Sequence, residues 1–295
     1  MIVFFGTSPR SAKFLNLATQ KGLKIDLVVS EPPKPIGRKQ ILTENTVVIA
    51  AKKMKIPFLT SIFELQNPSS GFQLNAFKDT LGLILDFNKI IPQEIINLFP
   101  QGIINLHFSK LPQYRGPAPV QKTILNGDKE AWITYYLINE KIDQGMIISQ
   151  LSIPLDFTEN TDSLYEKLIE KAAQETKKII DDYLSKKVVL RPQIGEPTMT
   201  EKLTTENCRI NWEKNSREIN CLIRAAYPEP GAWTEINLFP NHQPGIKKRL
   251  KILKAHLEND KLVLDLVQLE GKSPVSWKQF LQGYPDSEII KEKKI

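Results

Sequence analysis

Asn105 and His107 stand two residues apart in the apolar run Ile103-Ile104-Asn105-Leu106-His107, and in an extended strand residues at that spacing project from one face. An amide and an imidazole side by side form a pair of hydrogen-bond donors suited to negative charge developing on a carbonyl oxygen. Of the three histidines, at 107, 242 and 256, only His107 is preceded by an apolar strand pattern and followed by a proline-rich loop, Ser109 to Pro119. The carboxyl edge of such a strand is where open α/β sheets bind ligands. A lone histidine in an apolar setting is commonly a satisfied core residue; the neighbouring amide and the stiff loop favour chemistry. A carboxylate that holds the imidazole charged would complete the set, and Asp143 in Ile142-Asp143-Gln144-Gly145 is the best candidate. Spacing alone does not bring residues 36 positions apart together, and an aspartate ahead of glycine also reads simply as a turn-former.

Other site types find little support. Gly6-Thr7-Ser8 follows a strand pattern, but G-x-G-x-x-G is absent, as are a Walker motif and a G-x-S-x-G elbow. The scattered histidines and the isolated Cys208 and Cys221 lack zinc-site spacing. No metal is expected.

The elements that must position these residues alternate short apolar runs with helical patterns, the mark of a parallel sheet with crossover helices. Ile2 to Phe5 reads as a buried strand, and Ser8-Pro9 as an N-cap followed by proline at the first helical position. A strand over 25–29 leads into Ser30 to Gln40, whose three prolines and glycine make it an exposed excursion. A helix over 47–54 and strands near 57–60, 81–85 and 103–107 continue the pattern. A helix near 120–126, strands near 133–138 and 146–153 and a long amphipathic helix over 161–184 complete it. Residues 186–206 are polar and aperiodic and read as a linker. Beyond them come a helix over 216–226, the turn Pro228-Glu229-Pro230-Gly231 and strand-like runs at 251–253 and 262–267, a small and mostly β domain. The expected division is a first domain at 1–185, a linker at 186–206 and a second domain at 207–295.

Composition bounds the class. The 295 residues, 41% hydrophobic and 25% charged, fit an ordinary globular protein of about two domains. Two cysteines exclude a disulfide framework and make a reducing cytoplasm the default compartment. The apolar start lacks a basic n-region, and no run reaches the roughly 20 apolar residues of a membrane helix. The net charge is +7, and from Asn207 onward 15 Lys or Arg face 11 Asp or Glu, so the last third is the denser positive surface. A polyanionic partner and mere solubility both account for an excess of that size.

Asn105-Leu106-His107-Phe108-Ser109-Lys110-Leu111-Pro112, then Arg115-Gly116-Pro117-Ala118-Pro119 and Asp143-Gln144-Gly145, resemble the N-x-H-x-S-x-L-P, R-G-x-A-P and D-x-G signatures of the 10-formyltetrahydrofolate-dependent formyltransferases. The resemblance runs nearly end to end, through Phe5-Gly6-Thr7, Gly37-Arg38, Arg209-Ile210-Asn211-Trp212, Ile223-Arg224-Ala225, Pro228 to Trp233 and Gln268 to Lys272. It implies a Rossmann-like α/β domain with a mostly parallel sheet, followed by a smaller OB-like β-barrel domain. It implies 10-formyltetrahydrofolate as formyl donor and initiator methionyl-tRNA as partner, with a monomer as the expected state. Asn105, His107 and Asp143 then match the catalytic trio. Ser109, Lys110, Leu111 and Pro112 match the folate-contacting stretch, and Asp86, Phe87 and Asn88 the loop near the pterin pocket. Arg38, with Lys39 beside it, matches the loop that enters the tRNA acceptor stem, and the second domain matches the part that docks on the tRNA backbone. Three departures stand out: Asp86-Phe87-Asn88 where A-Y-G is usual, Lys110 where leucine is usual, and Trp132 where glycine is usual. A sugar-nucleotide N-formyltransferase and a non-catalytic RNA-binding protein on the same scaffold are the competing readings. The long Gly37-Arg38-Lys39 loop weighs against the first, and the intact trio against the second. A glycinamide ribonucleotide formyltransferase fits less well, since that family ends near the first domain.

Overall fold

The computed structural model describes residues 1–37, 39–67, 79–239 and 245–291. The chain opens with β1 (Ile2–Phe5) and α1 (Pro9–Gln20). α1 starts as the sequence dictates: the Ser8 side chain accepts from the Ser11 N–H, and Pro9 occupies the first turn. β2 (Leu27–Val29) follows, then β3 (Lys34–Ile36) and β4 (Ile41–Thr43), α2 (Thr46–Lys53) and β5 (Phe58–Leu59). The excursion after β2 is therefore an exposed two-stranded hairpin. Pro35 fits there because an isolated ribbon is all edge.

β6 (Leu81–Ile84), the short α3 (Gln93–Ile96), β7 (Ile103–His107), α4 (Pro119–Asn126), β8 (Glu130–Leu137) and β9 (Ile147–Pro154) lead to α5 (Thr161–Leu184). The main sheet has the order β5-β2-β1-β6-β7-β8-β9. The first five strands are parallel, and β8 runs antiparallel to β7. Its central strands are buried on both faces, which is why they read as unbroken apolar runs. Val3, Phe5, Leu27, Val29, Ile84 and Ile103 share one core cluster. Gly82 lies opposite Ile103 in the ladder, and a Cβ there would fall 2.7 Å from the Ile103 side chain.

After α6 (Ser216–Ala226), the strands β10 (Ala232–Leu238), β11 (Ile246–Glu258), β12 (Lys261–Leu269), β13 (Val275–Ser276) and, past α7 (Trp277–Gly283), β14 (Glu288–Ile290) form a five-stranded sheet in the order β13-β12-β11-β10-β14. All its pairings are antiparallel, and five is the strand number of an OB-type fold. Its core gathers Ile219, Ile223, Trp233, Ile236, Ile252 and Val267.

The compact units are interleaved along the chain. One comprises Met1–Gly116, Trp132–Ile153 and Tyr165–Met199; the other comprises Pro117–Ala131, Pro154–Leu164 and Thr200–Ile295. In the second unit α4 packs on α6, the Thr161 hydroxyl donates to the Ala225 carbonyl at 2.7 Å, and Arg224 donates to the Glu159 carbonyl at 2.8 Å. Among the described residues, no helix is long and apolar enough to cross a membrane.

Candidate active site

Ile103, Ile104 and Leu106 are buried and anchor β7, leaving Asn105 and His107 together on one face at its carboxyl end. In the antiparallel ladder with β8, Tyr136 lies opposite Asn105 and Thr134 opposite His107. Cross-strand neighbours of this kind are within side-chain reach. The Asn105 Nδ2 donates to the Tyr136 hydroxyl at 2.8 Å, and that hydroxyl donates to Asp143 Oδ1 at 2.7 Å. The Gly116 N–H donates to Asp143 Oδ2 at 2.7 Å, and His107 Nδ1 lies 3.8 Å from the same oxygen. Asn105, His107 and Asp143 thus converge despite their separation in sequence.

Asp143 is held as a backbone as well as a charge. Its φ is +54°, a region aspartate tolerates better than most residues. The Gln193 amide donates to the carbonyls of Asp143 at 2.9 Å and Gly145 at 3.0 Å, while its oxygen accepts from the Arg115 guanidinium at 2.7 Å. Gly145 is a matter of space: a Cβ there would sit 1.5 Å from the Leu137 carbonyl oxygen.

His107 is 7% exposed. Its Nε2 lies 2.8 Å from the Tyr114 carbonyl; a carbonyl only accepts, so Nε2 carries the proton. Tyr114 itself has φ +58° and donates its N–H to the Thr198 hydroxyl at 2.8 Å. His107 therefore reaches a further acceptor only by sharing or exchanging that bond. Burial, reinforced by the Asp143 charge, pushes the Tyr136 phenol well above its ordinary range, so it stays a neutral donor.

The residues expected to face the folate divide. Ser109 is buried with its hydroxyl donating to the Gln113 carbonyl at 2.6 Å, and the Leu111 N–H donates to Thr134. Lys110, Leu111, Pro112 and Gln113 line one wall of a cavity of about 330 Å³, whose other wall includes Arg191 to Pro192 and Ile194 to Glu196. The Lys110 ammonium lies 4.3 Å from the Trp132 ring centroid. The two departures from the family pattern on this stretch are one contact. A cation–π pair at an exposed site contributes about 0.5–1 kcal/mol. A double-mutant cycle of Lys110→Leu and Trp132→Ala, read by urea denaturation, should return a coupling of about that size; strictly additive effects would dissolve the pairing.

The third departure is compensated too. The Asp86 carboxylate bonds to Arg10 at 2.8 Å, and the Arg10 guanidinium stacks on Tyr165 at 4.1 Å. Phe87 meets Phe5 edge-on at 5.7 Å, and the Asn88 side chain donates to Glu31 at 3.2 Å. Since Ile84 pairs with Asn105, Asp86, Phe87 and Asn88 follow the same carboxyl edge that carries Asn105 and His107. The added charge on this loop is thus matched. Arg38 lies outside the described residues. Lys39 is exposed at the hairpin tip, beside the exposed Ile36, Ile41 and Leu42. Among the described residues, no group of His, Cys, Asp and Glu could hold a metal ion.

Two residues at the site escaped the sequence reading. Tyr136 sits in an apolar strand run, and only the β7–β8 register reveals its partners. Gln193 lies in the aperiodic stretch read as a linker and carries no sequence signal of its contacts.

The chain matches the formyl transferase family model over residues 1–180 and the formyl transferase C-terminal domain over 202–262. It is 32% identical to the methionyl-tRNA formyltransferase of Thermodesulfovibrio yellowstonii, over 96% of this chain and 95% of that one. Among solved structures, a methionyl-tRNA formyltransferase from Clostridium thermocellum superposes with a TM-score of 0.59 at 19% identity, covering 91% of this chain and 97% of the other. A sugar 3N-formyl transferase solved in the presence of dTDP and 5-N-formyl-THF gives 0.64 at 22% identity, covering 93% and 96%. At such identities the structural matches speak to the fold.

Proposed function

The chain belongs to the formyl transferase family, and on that premise we propose that it transfers the formyl group of 10-formyltetrahydrofolate to the α-amino group of methionine on initiator methionyl-tRNA. The end-to-end likeness to the Thermodesulfovibrio relative carries the choice of acceptor. In this reading the amine attacks the formyl carbon, the bond to the folate nitrogen breaks, and negative charge develops transiently on the formyl oxygen. Asn105 has one amide hydrogen engaged by Tyr136 and offers its second to that oxygen. His107, facing the Asp143 carboxylate, offers another donor by exchanging its bond with the Tyr114 carbonyl. The amine's proton passes to water or to the His107–Asp143 pair and from there to the departing folate nitrogen, which leaves as the neutral amine. Ser109 to Pro112 and Asp86 to Asn88 frame the folate, which serves as co-substrate with no metal.

The Gly37-Arg38-Lys39 stretch and the basic β11, with Lys247, Lys248, Arg249 and Lys254 exposed, are the tRNA-contacting surfaces of this reading. In this reading residues 1–185, with Gln193 and Thr198 from beyond them, carry the chemistry and 207–295 the nucleic acid, in a cytoplasmic monomer. The test is direct: the protein is incubated with 10-formyltetrahydrofolate and either charged initiator tRNA or a 4-amino sugar nucleotide. Formyl-methionyl-tRNA is expected; transfer to the sugar alone would give the assignment to the competing reading. Arg38→Ala should weaken productive tRNA engagement, seen as a raised KM for tRNA with folate binding unchanged. Wild-type tRNA affinity should fall steeply with salt, and a flat salt response would remove the phosphate contacts from the account.

A further inference from the structure

We propose that Tyr136 is a positioning residue that fixes which end of the Asn105 amide faces the substrate. The inference rests on the formyl-transfer reading and adds to it a residue whose hydroxyl joins two members of the trio. Tyr136 is 2% exposed and stands directly across the ladder from Asn105. Its hydroxyl lies 2.8 Å from Asn105 Nδ2 and 2.7 Å from Asp143 Oδ1.

A phenol has a single proton to give, and a carboxylate only accepts. The Tyr136 proton is therefore committed to Asp143, and the phenol oxygen can serve Asn105 only as an acceptor. That forces the NH₂ end of the amide toward Tyr136 and leaves its second hydrogen for an incoming oxygen. The reversed amide would set its carbonyl against the phenol oxygen, acceptor against acceptor. The two orientations of an amide are nearly the same shape, so packing alone discriminates poorly between them. The directed chain from Asn105 through Tyr136 to Asp143 does so by hydrogen-bond polarity. The Gly116 N–H on the other carboxylate oxygen keeps Asp143 turned to receive it.

The test is Tyr136→Phe, which keeps the ring and removes the oxygen, assayed in the full chain with both substrates beside the wild type. Removing an oxyanion donor outright costs about 10²–10³ in kcat; loss of its orientation should cost about tenfold, with KM for tRNA and folate changed less than about threefold. In an Asn105→Ala background the same substitution should change kcat less than about twofold, because the group it orients is gone. Tyr136→Met, which fills the space without a hydroxyl, should reproduce both results and guards against a folding defect in the first variant. Equal losses in both backgrounds would show that Tyr136 acts through Asp143 or through packing and not through the Asn105 amide, and that result or a wild-type kcat in Tyr136→Phe would overturn the proposal. Absence of transfer by the wild type would instead fail the formyl-transfer reading, and the inference with it.

Discussion

Replacing His107 with alanine should lower turnover by at least about 10²-fold while leaving tRNA binding nearly unchanged. The imidazole is buried, faces the Asp143 carboxylate at 3.8 Å and already presents an Nε2 proton to a carbonyl, that of Tyr114. Its geometry is that of a donor waiting for a better acceptor. A formyl oxygen gaining negative charge is such an acceptor, so the interaction strengthens on the way to the transition state and registers in kcat. Truncation also removes the bond to the Tyr114 carbonyl, but one lost hydrogen bond contributes only about 0.5–1.5 kcal/mol to stability. Single-turnover formylation with saturating substrates, filter binding of tRNA and a thermal melt separate these effects. Near-normal turnover would remove His107 from the chemistry.

Gly145→Ala should be nearly as damaging, although Gly145 bears no functional group. Its backbone needs no special dihedral; the obstacle is a Cβ placed 1.5 Å from the Leu137 carbonyl oxygen and 2.7 Å from its carbon. That carbonyl cannot retreat easily, because Leu137 pairs with Ile104 of β7 and donates its N–H to Met146 across the turn. The turn carrying Asp143 must move instead. A displacement of about 1 Å can cost on the order of 10² in rate, and overpacking of this kind about 1–3 kcal/mol in stability. Steady-state kcat and urea denaturation would measure both, and turnover within about threefold of wild type would show that the loop tolerates the methyl.

Much of this was legible before any coordinates. Ile103 to His107 forms the strand its apolar run announces, Ser8-Pro9 starts α1, and 161–184 is one helix. Each is a local signal in which propensity, capping and periodicity agree. β10 was not legible: Ala232, Trp233 and Thr234 are buried in succession, so the alternation that marks a half-exposed strand is missing. Neither was α7, whose seven residues are too few to set up a helical period, although Ser276 and Gln279 cap it and Trp277 stacks on Phe280 at 5.3 Å. At the site, residue types and spacing pointed to Asn105 and His107 unaided, whereas Asp143 needed the family resemblance. Tyr136, Gln193 and the Lys110–Trp132 contact stayed hidden because each depends on pairing between distant segments, which composition and period do not encode.

The interleaving of the two compact units bears on how the molecule can be taken apart. A fragment beginning at Asn207 would lack α4, which packs on α6, together with the partners at Glu159 and Thr161 that tie Arg224 and Ala225. A fragment ending at Ser185 would keep those segments without the unit they complete, and would lose the Gln193 bonds around Asp143. No single peptide bond divides this protein into two self-sufficient halves, so work on isolated domains calls for circular permutation or grafted segments in place of simple truncation.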